Sequence, residues 1–284
     1  MTTFFEGEGG IRIASDILGP VAGPLVTLAH GGGQTRHSWR DTADGLANRG
    51  YRVIAIDLRG HGESGWTSAE AYNLSSYAAD IEAVIRVNAS NAGVTLVGAS
   101  LGGMASTVAA AQMEDIRINA LVLVDVVPRF DRAGSARIRQ FMNAHLGGFT
   151  TLDEAAAAVA AYKRNRPPPT DTSGLMKNLR TGEDGRLYWH WDPARLRAGD
   201  AINAEEIALL ERSSQKITAP VMLVRGGQSD IVGDAGVEAL RKIIPHLQVA
   251  EVADAEHMVA SDNNAVFGEL LIDYLAAVSP CQFS

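Results

Sequence analysis

The chain has 284 residues, with 25 Lys and Arg against 33 Asp and Glu, a formal net charge of −8 and a pI near 5.4. With 46% hydrophobic and 20% charged residues it can bury the core of one large domain, or of a domain with an insertion. No basic block interrupts the acidic background, which argues against nucleic acid or an anionic membrane as a general partner.

The start, Met1-Thr2-Thr3-Phe4-Phe5-Glu6, lacks the basic and apolar regions of a secretory leader, and no run approaches the roughly 18 apolar residues of a spanning helix. A cytoplasmic protein is the expectation. Residues 11–18 alternate loosely and predict an edge strand ended by Gly19-Pro20. Residues 25–29 are the first buried strand, running into His30-Gly31-Gly32-Gly33-Gln34-Thr35, with a helix over 39–48. A glycine triplet at a strand end lets backbone N–H groups face a ligand, as an oxyanion hole requires; the Lys and Ser/Thr of a phosphate-binding loop are missing.

A further buried strand over 52–57 leads into Leu58-Arg59-Gly60-His61-Gly62-Glu63-Ser64, where His61 reads as a structural hydrogen-bonding residue, and residues 75–87 predict a helix. The stretch around Ser100 is the most informative. Residues 94–97 form a buried strand, Gly98-Ala99-Ser100-Leu101-Gly102 matches G-x-S-x-G, and Met104, Ala105, Val108 and Ala109 then recur with helical spacing. A serine at such a strand-to-helix turn is held exposed as a nucleophile. Residues 119–124 make the next strand, ending at Asp125. The alternation of strands and helices predicts a parallel sheet covered on both faces.

After Pro128 the pattern changes. About 85 residues without a buried-strand pattern, with helices over 136–144, 152–164 and 204–212 and a break at Pro167-Pro168-Pro169, predict a helical insertion over the sheet rather than a crossover. Within it Phe141, Met142, Met176, Tyr188, Trp189, His190 and Trp191 supply the apolar surface and polar tips of a substrate-pocket wall. At least one of Trp189 and Trp191 is expected to face the space above Ser100. Strand character returns over 221–224, before Arg225-Gly226-Gly227-Gln228-Ser229-Asp230. A helix over 235–244, a last strand over 247–252, the loop Asp254-Ala255-Glu256-His257-Met258 and a helix over 264–277 complete the chain. Ser100, Asp230 and His257 each follow a strand, in the order of a Ser-Asp-His triad. Asp125 is the alternative acid.

On His30-Gly31-Gly32-Gly33, the 57–64 segment, Gly98-Ala99-Ser100-Leu101-Gly102-Gly103 and the Asp230 and His257 loops, the chain resembles the α/β-hydrolase fold family, in its capped esterase, epoxide-hydrolase and cofactor-free haloperoxidase-like branch. The resemblance implies an α/β fold with a mostly parallel eight-stranded sheet, a core of residues 1–128 and 217–284, and a helical cap of residues 129–216 after the sixth strand. It also implies a catalytic triad of Ser100, Asp230 and His257, Asp230 being preferred to Asp125 for the Gly-Gly-x-x-Asp setting more usual in the family, with the backbone N–H groups of Gly32 and Leu101 as the oxyanion hole. Serine at position 100, where dehalogenases and epoxide hydrolases of this fold carry aspartate, favours attack on an acyl carbon. The expectation is a serine hydrolase acting on an ester, lactone or activated amide of a small apolar substrate, without metal or cofactor. Carbon–carbon bond hydrolysis and perhydrolysis on the same triad stay open, as does a hydrolase-like receptor. The oligomeric state is open, a homodimer included. Cys281, the single cysteine, excludes an internal disulfide and has no assigned role.

Overall fold

The computed structural model describes residues 1–162, 172–196 and 202–281. The Pro167-Pro168-Pro169 break and the expected end of the second insertion helix at 164 lie outside the described residues. The chain begins with strands β1 (Thr2–Glu6), β2 (Arg12–Leu18) and β3 (Leu25–Ala29), followed by helix α1 (Arg40–Ala47) and strand β4 (Arg52–Ile56). Helix α2 (Leu74–Asn88), strand β5 (Val94–Ala99), helix α3 (Leu101–Gln112) and strand β6 (Ile118–Val124) complete the first half. Next come α4 (Arg132–Asn143), α5 (Leu152–Tyr162), β7 (Leu179–Thr181), β8 (Leu187–Trp189) and α6 (Ala204–Lys216). Then β9 (Val221–Gly226), α7 (Asp234–Ile243), β10 (Gln248–Val252), α8 (Val259–Asp262) and α9 (Asn264–Val278) end the described chain.

Eight strands form one sheet in the order β1-β2-β4-β3-β5-β6-β9-β10, parallel throughout except for the antiparallel pairs β1/β2 and β2/β4. β1 lies outside β2 and is the edge, where residues 11–18 were expected to be. It leaves no pattern in the sequence because none of its side chains is buried. β3 is buried along its whole length, as a strand covered on both faces must be. One face packs against α2, α3, α6 and α7 through Ile81, Val108, Leu210 and Leu240. The other is covered by α1 and α9 through Leu46, Phe267 and Leu271.

Between β6 and β9 the insertion is not wholly helical. β7 and β8 form a separate two-stranded antiparallel sheet, too short to leave a buried-strand pattern, and it packs with Met142, Phe149, Ala155 and Trp191 in a core of its own. Among the described residues no helix is long and apolar enough to cross a membrane.

β5 and α3 meet with no room for side chains. A Cβ at Gly102 would lie 2.3 Å from the Ala29 carbonyl oxygen, and one at Gly98 would lie 2.4 Å from the Gly102 carbonyl oxygen. Gly102→Ala is therefore expected to cost about 1–3 kcal/mol or more, because the obstacle is backbone and has little freedom to relax. Chemical denaturation measures this; an unchanged midpoint would contradict the packing.

Candidate active site

Ser100 occupies the turn between β5 and α3 with φ 46° and ψ −116°, a conformation that L side chains avoid and that costs on the order of 1–3 kcal/mol. The surroundings enforce it. The Ser100 N–H donates to the Val124 carbonyl (3.0 Å), its own carbonyl accepts from the Met104 N–H (3.0 Å), and the glycine contacts above fix strand against helix. Leu101 opens α3, so its N–H has no acceptor within the helix and lies at the positive end of the helix dipole.

His257 follows β10, and its Nδ1 lies 2.7 Å from Asp125 Oδ2. The expected pairing of His257 with Asp230 is not the one the structure shows. The carboxylate facing the imidazole belongs to Asp125, whereas Asp230 forms an ion pair with Arg137 (2.7 Å) and its side chain is 35% exposed. Asp125 is fully buried at the end of β6 with φ 47°. Its Oδ1 accepts from the Gly226 N–H (3.1 Å) and its Oδ2 from the Ser229 hydroxyl (2.5 Å). The Gly226-Gly227-Gln228-Ser229-Asp230 loop thus holds Asp125 through Gly226 and Ser229 and sends Asp230 outward.

The glycine loop after β3 is fixed by three buried histidines, each accepting an N–H with one ring nitrogen and facing a carbonyl with the other. His30 accepts from Leu58 (3.0 Å) and donates to the Gly31 carbonyl (2.8 Å). His61 accepts from Gly33 (3.2 Å) and donates to the Arg59 carbonyl (3.0 Å). His190, from the insertion, accepts from Gly62 (2.9 Å) and donates to the Gly33 carbonyl (3.2 Å). With Gly31 N–H given to Gln34 Oε1 (2.9 Å) and Gly33 N–H to His61, the Gly32 N–H lies between two amides that already have partners. Burial, with the nearby Arg195 charge adding to it, holds all three rings neutral: His30 and His190 are pulled down to about 3, and His61 falls well below its usual value. The Asp57–Ser64 segment is anchored in the same way. Asp57 accepts from the backbone N–H groups of Arg36 and Glu63 and from the Arg36 guanidinium, and Arg59 grips Asp80 with two bonds of 2.6 and 2.7 Å.

Ser100, Leu101, Gly32, Asp125 and His257 all line one cavity of about 280 Å³. Of the residues expected to wall it, Phe141 and Met142 do so. Tyr188, Trp189, His190, Trp191 and Met176 do not. Trp189 stacks on Trp191 (ring centroids 4.9 Å apart) and meets Phe149 and Phe141, so the two indoles pack the insertion's own core. Met176 is 42% exposed. The wall contains instead Met104, Phe130, Ile138 and Tyr162, together with the polar residues Tyr77, Arg139, Arg195 and Glu206. These escaped the sequence reading because they are scattered over α2, α3, α4, α5, α6 and a short turn, with no local pattern linking them. Among the described residues no cluster of His, Cys, Asp and Glu could hold a metal ion.

Residues 24–263 match the model of the alpha/beta hydrolase fold family. The chain belongs to this family. This α/β-hydrolase is 30% identical over 254 residues to an esterase of Mycobacterium tuberculosis, covering 87% of this chain and 81% of the relative. It is 29% identical over 252 residues to the 2-(acetamidomethylene)succinate hydrolase of Mesorhizobium japonicum, covering 87% and 86%. It is 30% identical over 262 residues to the 3-hydroxybutyrate-oligomer hydrolase of Cupriavidus necator, covering 87% of each. The crystal structure of an E-2-(acetamidomethylene)succinate hydrolase superposes with a TM-score of 0.84 at 25% identity, covering 97% of this chain and 98% of that one.

Two outcomes follow from this geometry. Trp189→Ala is expected to destabilise the hydrolase by about 3–5 kcal/mol while leaving its relative kcat/KM across acyl chain lengths unchanged; altered chain-length discrimination without destabilisation would return the ring to the cavity wall. The second concerns pH. Each neutral histidine has a folded pKa below its unfolded value near 6.5, so the stability it contributes is complete above about pH 6.5 and is lost as pH falls toward 3. At pH about 5, unfolding should take up about three protons on account of His30, His61 and His190. Denaturant titrations from pH 7 to 5 read this as a falling free energy of unfolding, and a flat profile would mean that the rings are not held neutral.

Proposed function

We propose that the protein is a serine hydrolase cleaving an ester of a small substrate through an acyl-enzyme, with Ser100 as nucleophile, His257 as general base and acid, and Asp125 as the carboxylate partner of His257. The chain is a hydrolase of the ester-acting kind, in keeping with its family and with relatives named esterase and 3-hydroxybutyrate-oligomer hydrolase over most of its length. The observation that carries the finer reading is the 2.7 Å contact of His257 Nδ1 with buried Asp125, made at the edge of the cavity that also holds strained Ser100.

With Nδ1–H donated to Asp125, Nε2 carries the lone pair and serves as base. Ser100 Oγ attacks the ester carbonyl carbon while its proton passes to His257 Nε2, and the oxyanion is received by the N–H groups of Gly32 and Leu101. Collapse breaks the bond to the alcohol oxygen, which takes the proton from His257. A water molecule then attacks the acyl carbon, giving its proton to His257. The acid leaves and Ser100 recovers its hydrogen. Asp125 stabilises the imidazolium formed at each proton transfer. Apolar Met104, Phe130, Ile138, Phe141 and Met142 suit the hydrocarbon parts of such a substrate.

Ser100→Ala should fold normally and lose on the order of 10⁴ to 10⁶ in kcat on p-nitrophenyl butyrate, since only oxyanion stabilisation and binding remain. A residual rate above about a tenth of wild type would remove Ser100 from the chemistry. Asp125→Asn should cost more than about 10²-fold in kcat, because the amide supports neither the charge nor the tautomer, whereas Asp230→Asn should stay within about fivefold, as befits a partly exposed ion pair. The reverse ranking would restore Asp230 as the acid.

A further inference from the structure

The cavity holds a cation that the reaction just described leaves unused. Arg195, in the short turn Pro193–Leu196, extends into it, and its Nε donates to the Tyr77 hydroxyl at 2.9 Å. Its Nη1 is buried and has no hydrogen-bond partner, and no described carboxylate pairs with the guanidinium. Its Nη2 lies 3.6 Å from the point a Cβ on Gly32 would occupy, which puts the charge beside the oxyanion loop. Arginine stays protonated whatever its surroundings, and a buried donor of a charged group left unpaired is costly. A second guanidinium, that of Arg139, lines the same cavity and among the described residues is bonded to the Ser135 hydroxyl (3.0 Å).

The carboxylates nearby are occupied. Glu206 closes the N-terminus of α6, accepting from Leu74 N–H (2.9 Å) and Asn203 N–H (3.2 Å). Asp125 faces His257. Asp192 accepts from the Tyr72 hydroxyl (2.6 Å) and from Ala194 N–H (2.9 Å). In a chain of net charge −8, two arginines in one cavity without acid partners among the described residues are conspicuous. The fork of a guanidinium matches a carboxylate with two parallel hydrogen bonds.

Resting on the hydrolase reading above, we propose that the substrate is an ester that also carries a carboxylate, received by Arg195 within a few bonds of the scissile carbonyl. The apolar wall then holds the connecting hydrocarbon, and Arg139 adds to the positive field. The carboxylate can belong to the acyl or to the alcohol part, both being within reach of a group beside Gly32.

Two matched pairs separate these cases, each comparing a carboxylate with its neutral amide: monomethyl succinate against methyl succinamate for the acyl part, and 3-acetoxypropanoate against 3-acetoxypropanamide for the alcohol part. The proposal expects kcat/KM to favour the carboxylate by about tenfold or more in at least one pair. Arg195→Met should reduce that ratio at least about tenfold, and Arg195→Lys, which keeps the charge, should retain part of it. Wild-type protein that hydrolyses p-nitrophenyl butyrate but shows a ratio near or below one in both pairs overturns this inference and leaves the hydrolase reading standing. So does a ratio unchanged in Arg195→Met. The wild-type ratio decides the matter even if the methionine variant does not fold. If wild type turns over none of the five esters, the hydrolase reading fails and this inference with it.

Discussion

The packing of β5 against α3 is the constraint from which the rest of the site follows. Gly98 and Gly102 bring strand and helix together at backbone distance, and the only path left for the chain between them places Ser100 in a strained turn at the end of the strand. That turn is held by the hydrogen bonds of Ser100 to Val124 and Met104, between strands that are almost wholly buried. β5 has β3 as one neighbour and β6 as the other, so the loop after β3 presents Gly32 and the residue after β6 presents Asp125. β9 and β10 continue the series, and the loops after them deliver Ser229 and His257 to Asp125. Sheet order, and not chain order, arranges the groups.

A second layer of polar contacts keeps the glycine loop in one shape. Three neutral histidines, drawn from the loop itself, from the 57–64 segment and from the insertion, clamp backbone groups of Gly31, Gly33, Leu58, Arg59 and Gly62. Because imidazole both donates and accepts, one side chain satisfies two buried backbone groups at once, provided that it stays uncharged. Burial and the adjacent charge of Arg195 enforce the neutral state. The arginine that we assign to the substrate thereby also helps to fix the glycine loop, and the insertion is joined to that loop through His190.

Much of this was legible in the sequence, for identifiable reasons. Buried parallel strands are continuous apolar runs, so β3, β4, β5, β6 and β9 announce themselves, and G-x-S-x-G between a strand and a helix marks Ser100. The sequence favours Asp230 as the partner of His257 for its Gly-Gly-x-x-Asp loop, whereas the imidazole faces the strand-end Asp125. What separates them is the neighbouring of β6 and β9, which lets Ser229 and Gly226 solvate a buried Asp125 while Arg137 draws Asp230 away. The aromatic cluster at 188–191 misled for a related reason: large side chains suit a cavity wall and an insertion core equally, and only the stacking of Trp189 on Trp191 decides. Arg195 left no signal, since an isolated arginine in a turn is ordinary until its surroundings are known.

The central claim is that Ser100, activated through His257 and Asp125, is a covalent nucleophile. Reaction with a fluorophosphonate, followed by intact-mass measurement and peptide mapping, tests it most directly. The account predicts a single adduct, on Ser100, formed far more slowly in Asp125→Asn than in Asp230→Asn. An unlabelled protein, an adduct on another residue, or labelling indifferent to Asp125 would contradict it.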